Sequence, residues 1–193
     1  MVSYLQKMMF IALTIAIAVP YSRSHRRRSH DSDSNNTEQY LRDLCSETDR
    51  SDVCWNILKS ELRRFDDCDD RDISDGVIDL AKEKSKVIRD QLKQWHTDSN
   101  DDSLKEKYHL CWENYNDVYR DLQEASKNLG SDDYKKISDQ IDDAEDELDE
   151  CRREFGPGSF DPGHVEDRNN ELEIYLDVVR AAADRLEDYY DHH

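Results

Sequence analysis

Two cysteines placed as mirror images about a short break constrain this chain more than any other feature. In the stretch from Ser103 to Phe155, apolar positions recur at Leu104, Tyr108, Cys111, Tyr115, Val118, Leu122, Ala125 and Leu129, the four-and-three spacing of one helix face. Gly130 then reads as a C-terminal stop and Ser131 as the N-cap of a second helix. That helix repeats the pattern through Tyr134, Ile137, Ile141, Ala144, Leu148, Cys151 and Phe155. A short link makes the two antiparallel. Cys111 precedes Ser131 by twenty residues and Cys151 follows it by twenty, so at helical rise both lie about 30 Å from the turn. They are level on the buried seam, and a disulfide between them is geometrically open, the alternative being two buried thiols. Closing that loop would contribute about 4 kcal/mol on the chain-entropy account.

The remaining punctuation keeps the chain helical. Between Pro20 and Gly156 only Gly76 and Gly130 interrupt it and no proline does, far too little turn chemistry for an all-β fold. The composition, 36% hydrophobic against 38% charged, would by itself lean toward disorder, but the heptad spacing decides for solvated amphipathic helices. A helix from about Thr37 carries Tyr40, Leu41 and Leu44 to Cys45. A second, from about Ser51 to Phe65, shows Cys54, Trp55, Leu58 and Leu62. Cys45 and Cys54 are nine apart, a spacing that suits a small stapled helical hairpin. A long helix from near Ser74 bears Val77, Leu80, Ala81, Val87, Ile88, Leu92 and Trp95. After the one elaborate loop, Gly156 to Gly163, a last helix runs from Val165 to the C-terminus with Leu172, Leu176, Val179, Ala183, Leu186, Tyr189 and Tyr190 on its face. The expected fold is all-α: an up-down-up-down four-helix bundle over 74–193, preceded by a helical hairpin over 37–68.

The N-terminus reads as a signal peptide over residues 1–24: Lys7 closes a short basic region, Met8 to Pro20 is apolar apart from Thr14, and Ser22-Arg23-Ser24 offers small residues for cleavage. That apolar run is too short to span a bilayer as a helix. Residues 25–36, with the basic run His25 to Arg28, read as a disordered lead-in containing a glycosylation sequon at Asn35. The formal charge of −19 becomes −21 once the leader, which carries Lys7 and Arg23 and no acid, is removed. Such a surface repels nucleic acid and anionic membranes, and suits a basic partner or plain solubility.

Chemistry of the catalytic kind is not written here. The carboxylates fall almost entirely off the apolar seams, whereas acid–base pairs need one carboxyl in a poorly hydrated pocket. Calcium loops built on Gly76, or on Asp98, Asn100 and Asp102, fail in register. There is no CxxC, HExxH, phosphate-binding glycine loop or nucleophile elbow. Neither metal nor cofactor is expected. With five cysteines one is left over; Cys68, inside the acidic run Asp66 to Asp72, is the odd one, a thiol outside the bridges or one that links two chains. Trp112, Asn116 and Tyr119, beside the seam, and Phe160, in the late loop, are candidate partner contacts, although a flanking Trp and Tyr more often pack on a neighbouring helix.

With these residues in view, the chain from about Leu41 to Tyr190 resembles the plant invertase and pectin methylesterase inhibitor family. The resemblance rests on the Cys45-to-Cys54 hairpin, on Tyr108-His109-Leu110-Cys111-Trp112-Glu113-Asn114-Tyr115, on the Ala144, Cys151 and Phe155 segment, and on Asn169-Asn170 opening the final helix. It implies pairing of the first cysteine with the second and the third with the fourth, and a non-enzyme that blocks a cell-wall or vacuolar enzyme in a one-to-one complex. Of the two targets it implies, pectin methylesterase is favoured over invertase, because strong acidity suits electrostatic steering toward a basic wall enzyme. The alternative is a secreted bundle of the same family that no longer inhibits and serves as a ligand or surface protein.

Overall fold

The computed structural model describes residues 30–66, 68–156 and 158–192. The expected leader, and residues 25–29 of the expected lead-in, lie outside the described residues, as does the Asn35 side chain. Among the described residues six α-helices follow in order: α1 His30–Ser46, α2 Ser51–Leu58, α3 Asp70–Asp98, α4 Asp102–Gly130, α5 Tyr134–Glu154 and α6 Val165–Asp191. Consecutive long helices pack side by side, and α6 returns against α3, so α3 to α6 close into a four-helix bundle. The hairpin of α1 and α2 lies against α6.

Several boundaries depart from expectation for local reasons. Helix α1 is already formed at His30, the first described residue, and so extends N-terminally of the expected Thr37; residues 30–36 contain neither proline nor glycine to break it. Helix α2 stops at Leu58; Leu62–Phe65 is a separate 3-10 turn that brings Phe65 onto α3. There Phe65 takes the space a side chain on Gly76 would need: a Cβ would stand 2.6 Å from its ring. Helix α3 begins within the acidic run, capped by Asp69, whose carboxylate accepts from the Asp72 amide at 2.9 Å. Asp101 caps α4 in the same way through Leu104. At the α4–α5 link Gly130 is still helical. The left-handed residue is Asp132 (φ 59°), and Asp133, not Ser131, precedes α5. Asp132 is fastened there by Arg71 and by the Tyr134 hydroxyl, which donates to it at 3.0 Å.

The core is continuous and the expected seams of α4 and α5 are buried in it. Cys111 and Cys151 are bonded across that seam with Cα atoms 4.7 Å apart, and Cys45–Cys54 staples the hairpin at 5.5 Å. Cys68 is in neither bridge; it is half-buried against the core, its thiol 3.7 Å from the Arg64 carbonyl. Beside the long bridge, Tyr115 donates to the Asn169 side-chain carbonyl at 2.8 Å, a buried polar contact between α4 and α6 whose burial holds the phenol far above its ordinary pKa. The stripe of α3 errs at Val87, which is 52% exposed. Helix α6 buries Ile174, Val178 and Ala181 in addition to its expected face, because the hairpin covers its back. Tyr189 and Tyr190, expected on that face, are exposed. Ion pairs tie the outer elements to α6: Arg50–Glu173 at 2.7 Å, Lys84–Glu171 at 2.6 Å, and Arg185 with Glu47.

Candidate functional site

Helices α3 and α4 run antiparallel, and along one edge of their contact they alternate rings and cations. His96 of α3 lies against His109 of α4 with ring centroids 5.0 Å apart, and its Nδ1–H donates to the Lys105 carbonyl at 2.9 Å. His109 in turn stacks on Trp112 at 5.6 Å, and the Lys93 ammonium stands 5.5 Å over the indole. Two turns further along α4, the Arg89 guanidinium lies 4.9 Å over Tyr119. Asn116, half-buried, falls between them on the same edge. The spacing of 109, 112, 116 and 119 is what places these side chains on one strip. Cations over aromatic faces hold the rings flat against the bundle while leaving their outer edges to solvent.

Three of the four expected contact residues therefore share one edge. Phe160 does not belong to it; it projects from the α5–α6 loop and is 73% exposed. The residues that sequence reasoning missed are those of α3: Arg89, Lys93 and His96 follow the same helical spacing and could have been paired with the α4 strip had the neighbour been known.

The loop bearing Phe160 is anchored from behind. Gly163 lies so near the Trp95 ring that a Cβ would come within 2.9 Å of it. Arg168 donates to the Gly163 carbonyl at 3.1 Å while its guanidinium rests 5.0 Å over Trp95. Trp95, Tyr108 and Phe155 follow one another at centroid distances of 5.5 Å.

The ring-and-cation strip contrasts with the edges of α5. Asp121 is buried at the α4–α5 seam, and that burial, with Asp143, Asp117 and Glu124 nearby, pushes its carboxyl up to about 6 against the pull of Arg120. On the other side, burial and the neighbouring Glu145 and Glu173 raise Asp177 to about 6. Among the described residues no group of three His, Cys, Asp or Glu is arranged to hold a metal ion, and no helix is long and apolar enough to cross a membrane.

The molecule is thus a bundle of four long helices with a stapled hairpin on α6 and, along the α3–α4 edge, a half-buried strip of rings and cations. The sequence pattern of the plant invertase/pectin methylesterase inhibitor family matches residues 39–181, most of the chain, and the protein belongs to that family. No curated protein sequence matches it. Two solved structures share its fold at 16% identity. The mutant form A of a pectin methylesterase inhibitor from Arabidopsis has a TM-score of 0.66, with 73% of this chain and 93% of that one covered. A pectin methylesterase inhibitor from Arabidopsis thaliana has 0.58, with 77% and 96% covered.

Proposed function

We propose that this protein is a secreted inhibitor that blocks a cell-wall pectin methylesterase in a one-to-one complex. The observation that carries the reading is the coincidence of family and fold: the family pattern covers most of the bundle, and the two solved structures described above are themselves pectin methylesterase inhibitors. On this reading residues 1–24 are removed on export, 37–193 form the inhibitory domain, and Asn35 carries carbohydrate. The contact face is the α3–α4 strip centred on Trp112 with Asn116 and Tyr119, Phe160 adding a contact from the loop. The acids that dominate the rest of the surface steer the molecule toward a basic enzyme, while the strip supplies rigid aromatic area at low entropic cost.

The test is a titration of the oxidised mature protein against a basic pectin methylesterase and an acid invertase in parallel, at pH 5 and pH 7. Pectin methylesterase activity should vanish near equimolar inhibitor while invertase is untouched, and Trp112→Ala should weaken inhibition about tenfold or more with the helical content unchanged. Loss of invertase activity instead would move the target. Loss of neither, with both disulfides intact, would leave a family member that acts as a ligand or surface protein.

A further inference from the structure

The opposite end of the bundle, where α3 begins, α4 turns into α5 and α6 ends, carries a second surface. Among the described residues the exposed aromatic rings are Phe160, Tyr189 and Tyr190, the last two 57% and 54% exposed at the end of α6. Their rings are held in place. Tyr190 stacks on the buried Tyr134 at 5.3 Å with planes 24° apart, and Tyr189 meets Tyr190 edge-on at 5.2 Å. Tyr190 thereby forms a wall between two clefts, one of about 380 Å³ floored by Leu186, the other of about 270 Å³ beside Tyr134. The clefts are lined by six carboxylates, those of Asp69, Asp70, Asp132, Asp133, Glu187 and Asp191, against two cations, Arg71 and Lys135. Arg71 is already spent: it is paired with Asp132 and donates to the Leu129 carbonyl at 2.7 Å.

Asp69 caps α3, and Asp132 and Asp133 are paired with Arg71 and Lys136, yet the carboxylates still outnumber the cations, and pre-positioned phenol rings beside them form a receptor for an organic cation. The rings offer their negative faces, the acids neutralise the charge, and the apolar floor accepts a methylene stem. An ordinary solvated acidic surface has the charge without the rings. We propose that this end of the bundle is a second interaction surface that takes a lysine- or arginine-rich segment of a protein partner, seating a side-chain cation between the tyrosine rings and the carboxylates of Asp69 and Asp70. The surface lies at the far end of the bundle from the Phe160 loop, and it stands whether or not the α3–α4 strip inhibits an enzyme.

The experiment uses the full oxidised protein and an acetylated, amidated hexa-arginine peptide at about 0.15 M salt, where distant charges are screened. Amide shifts followed by NMR should saturate and concentrate at residues 69–71 and 186–191. Tyr189→Ser, which leaves the net charge unchanged, should weaken binding about tenfold, and Tyr190→Phe, which keeps the ring and its stacking, should leave it as it was. Asp70→Asn should weaken binding as well. An affinity indifferent to Tyr189→Ser, shifts spread along the α4–α5 seam, or self-association of the protein through this end in place of peptide binding would each overturn the proposal.

Discussion

The two ends of the bundle are built from the same materials and put them to opposite use. At the α5–α6 end, Trp95, Tyr108 and Phe155 lie ring to ring beneath a loop pinned by Arg168, and Gly163 admits the loop backbone against the indole. At the other end, Tyr134, Tyr190 and Tyr189 also follow one another ring to ring, but only the first is buried. The difference comes from the connections. A ten-residue link between α5 and α6 has the length to fold over the helix ends, whereas three residues between α4 and α5 turn the chain and cover nothing. Buried rings stabilise; exposed rings held in fixed positions are available to bind. Phe160, which projects from the closed end, is the exception, an exposed ring on the capped side.

The largest effect should come from the closed end. Phe155→Ala removes a buried ring in contact with Tyr108, and should cost about 3–5 kcal/mol in urea unfolding. A loss below about 1 kcal/mol would mean that the cap is not part of the cooperative core, and the contrast between the ends would fail. Gly163→Ala probes the same cap from the backbone side. The new Cβ must displace Trp95 or lift the loop, at an expected cost of about 1–3 kcal/mol. Intrinsic tryptophan fluorescence should shift with it, because Trp95 is the ring displaced.

A third effect isolates a region that belongs to neither end. Asp121 sits in the α4–α5 seam with its folded pKa raised to about 6, against about 3.9 in an unfolded chain. A carboxyl raised on folding stabilises the protein fully below about pH 4, and that stability is lost as pH rises through about 6. Asp121→Asn should therefore be near neutral at pH 4 and stabilising by about 1 kcal/mol at pH 7, solvent at the rim of the seam screening the remainder. The difference between variant and parent, measured at both pH values, removes the titration of the other acids. A gain equal at the two pH values would place the effect in packing and not in charge.

The parts of this architecture that were legible in the sequence are those governed by helical period. The seams of α4 and α5 and the level placement of Cys111 and Cys151 follow from spacing alone, because a straight helix converts sequence distance into length. Trp112, Asn116 and Tyr119 fall on one edge for the same reason. What period does not encode was missed. Asp121 interrupts no pattern when read beside Val118 and Leu122, and its burial depends on how closely α5 approaches. Tyr189 and Tyr190 continue the stripe of α6, but a stripe does not say where the neighbouring helices stop. The packing of Gly163 on Trp95 depends on a loop conformation with no repeat, and Asp69 as a cap was hidden among acids any of which had the right chemistry.

The smallest effect on stability carries the sharpest meaning for the open end. Tyr189 is more than half exposed and meets Tyr190 edge-on, so Tyr189→Ser should change the unfolding free energy by no more than about 0.5 kcal/mol. Set against Phe155→Ala, the same chemical deletion of an aromatic ring then differs several-fold between the two ends. If Tyr189→Ser is instead as costly as Phe155→Ala, the open end is a second cap, its rings contribute to folding, and the surplus exposure that motivates a partner there disappears. If the variant folds as firmly as the parent yet loses the cationic peptide, the ring is retained at that position for an interaction outside the fold.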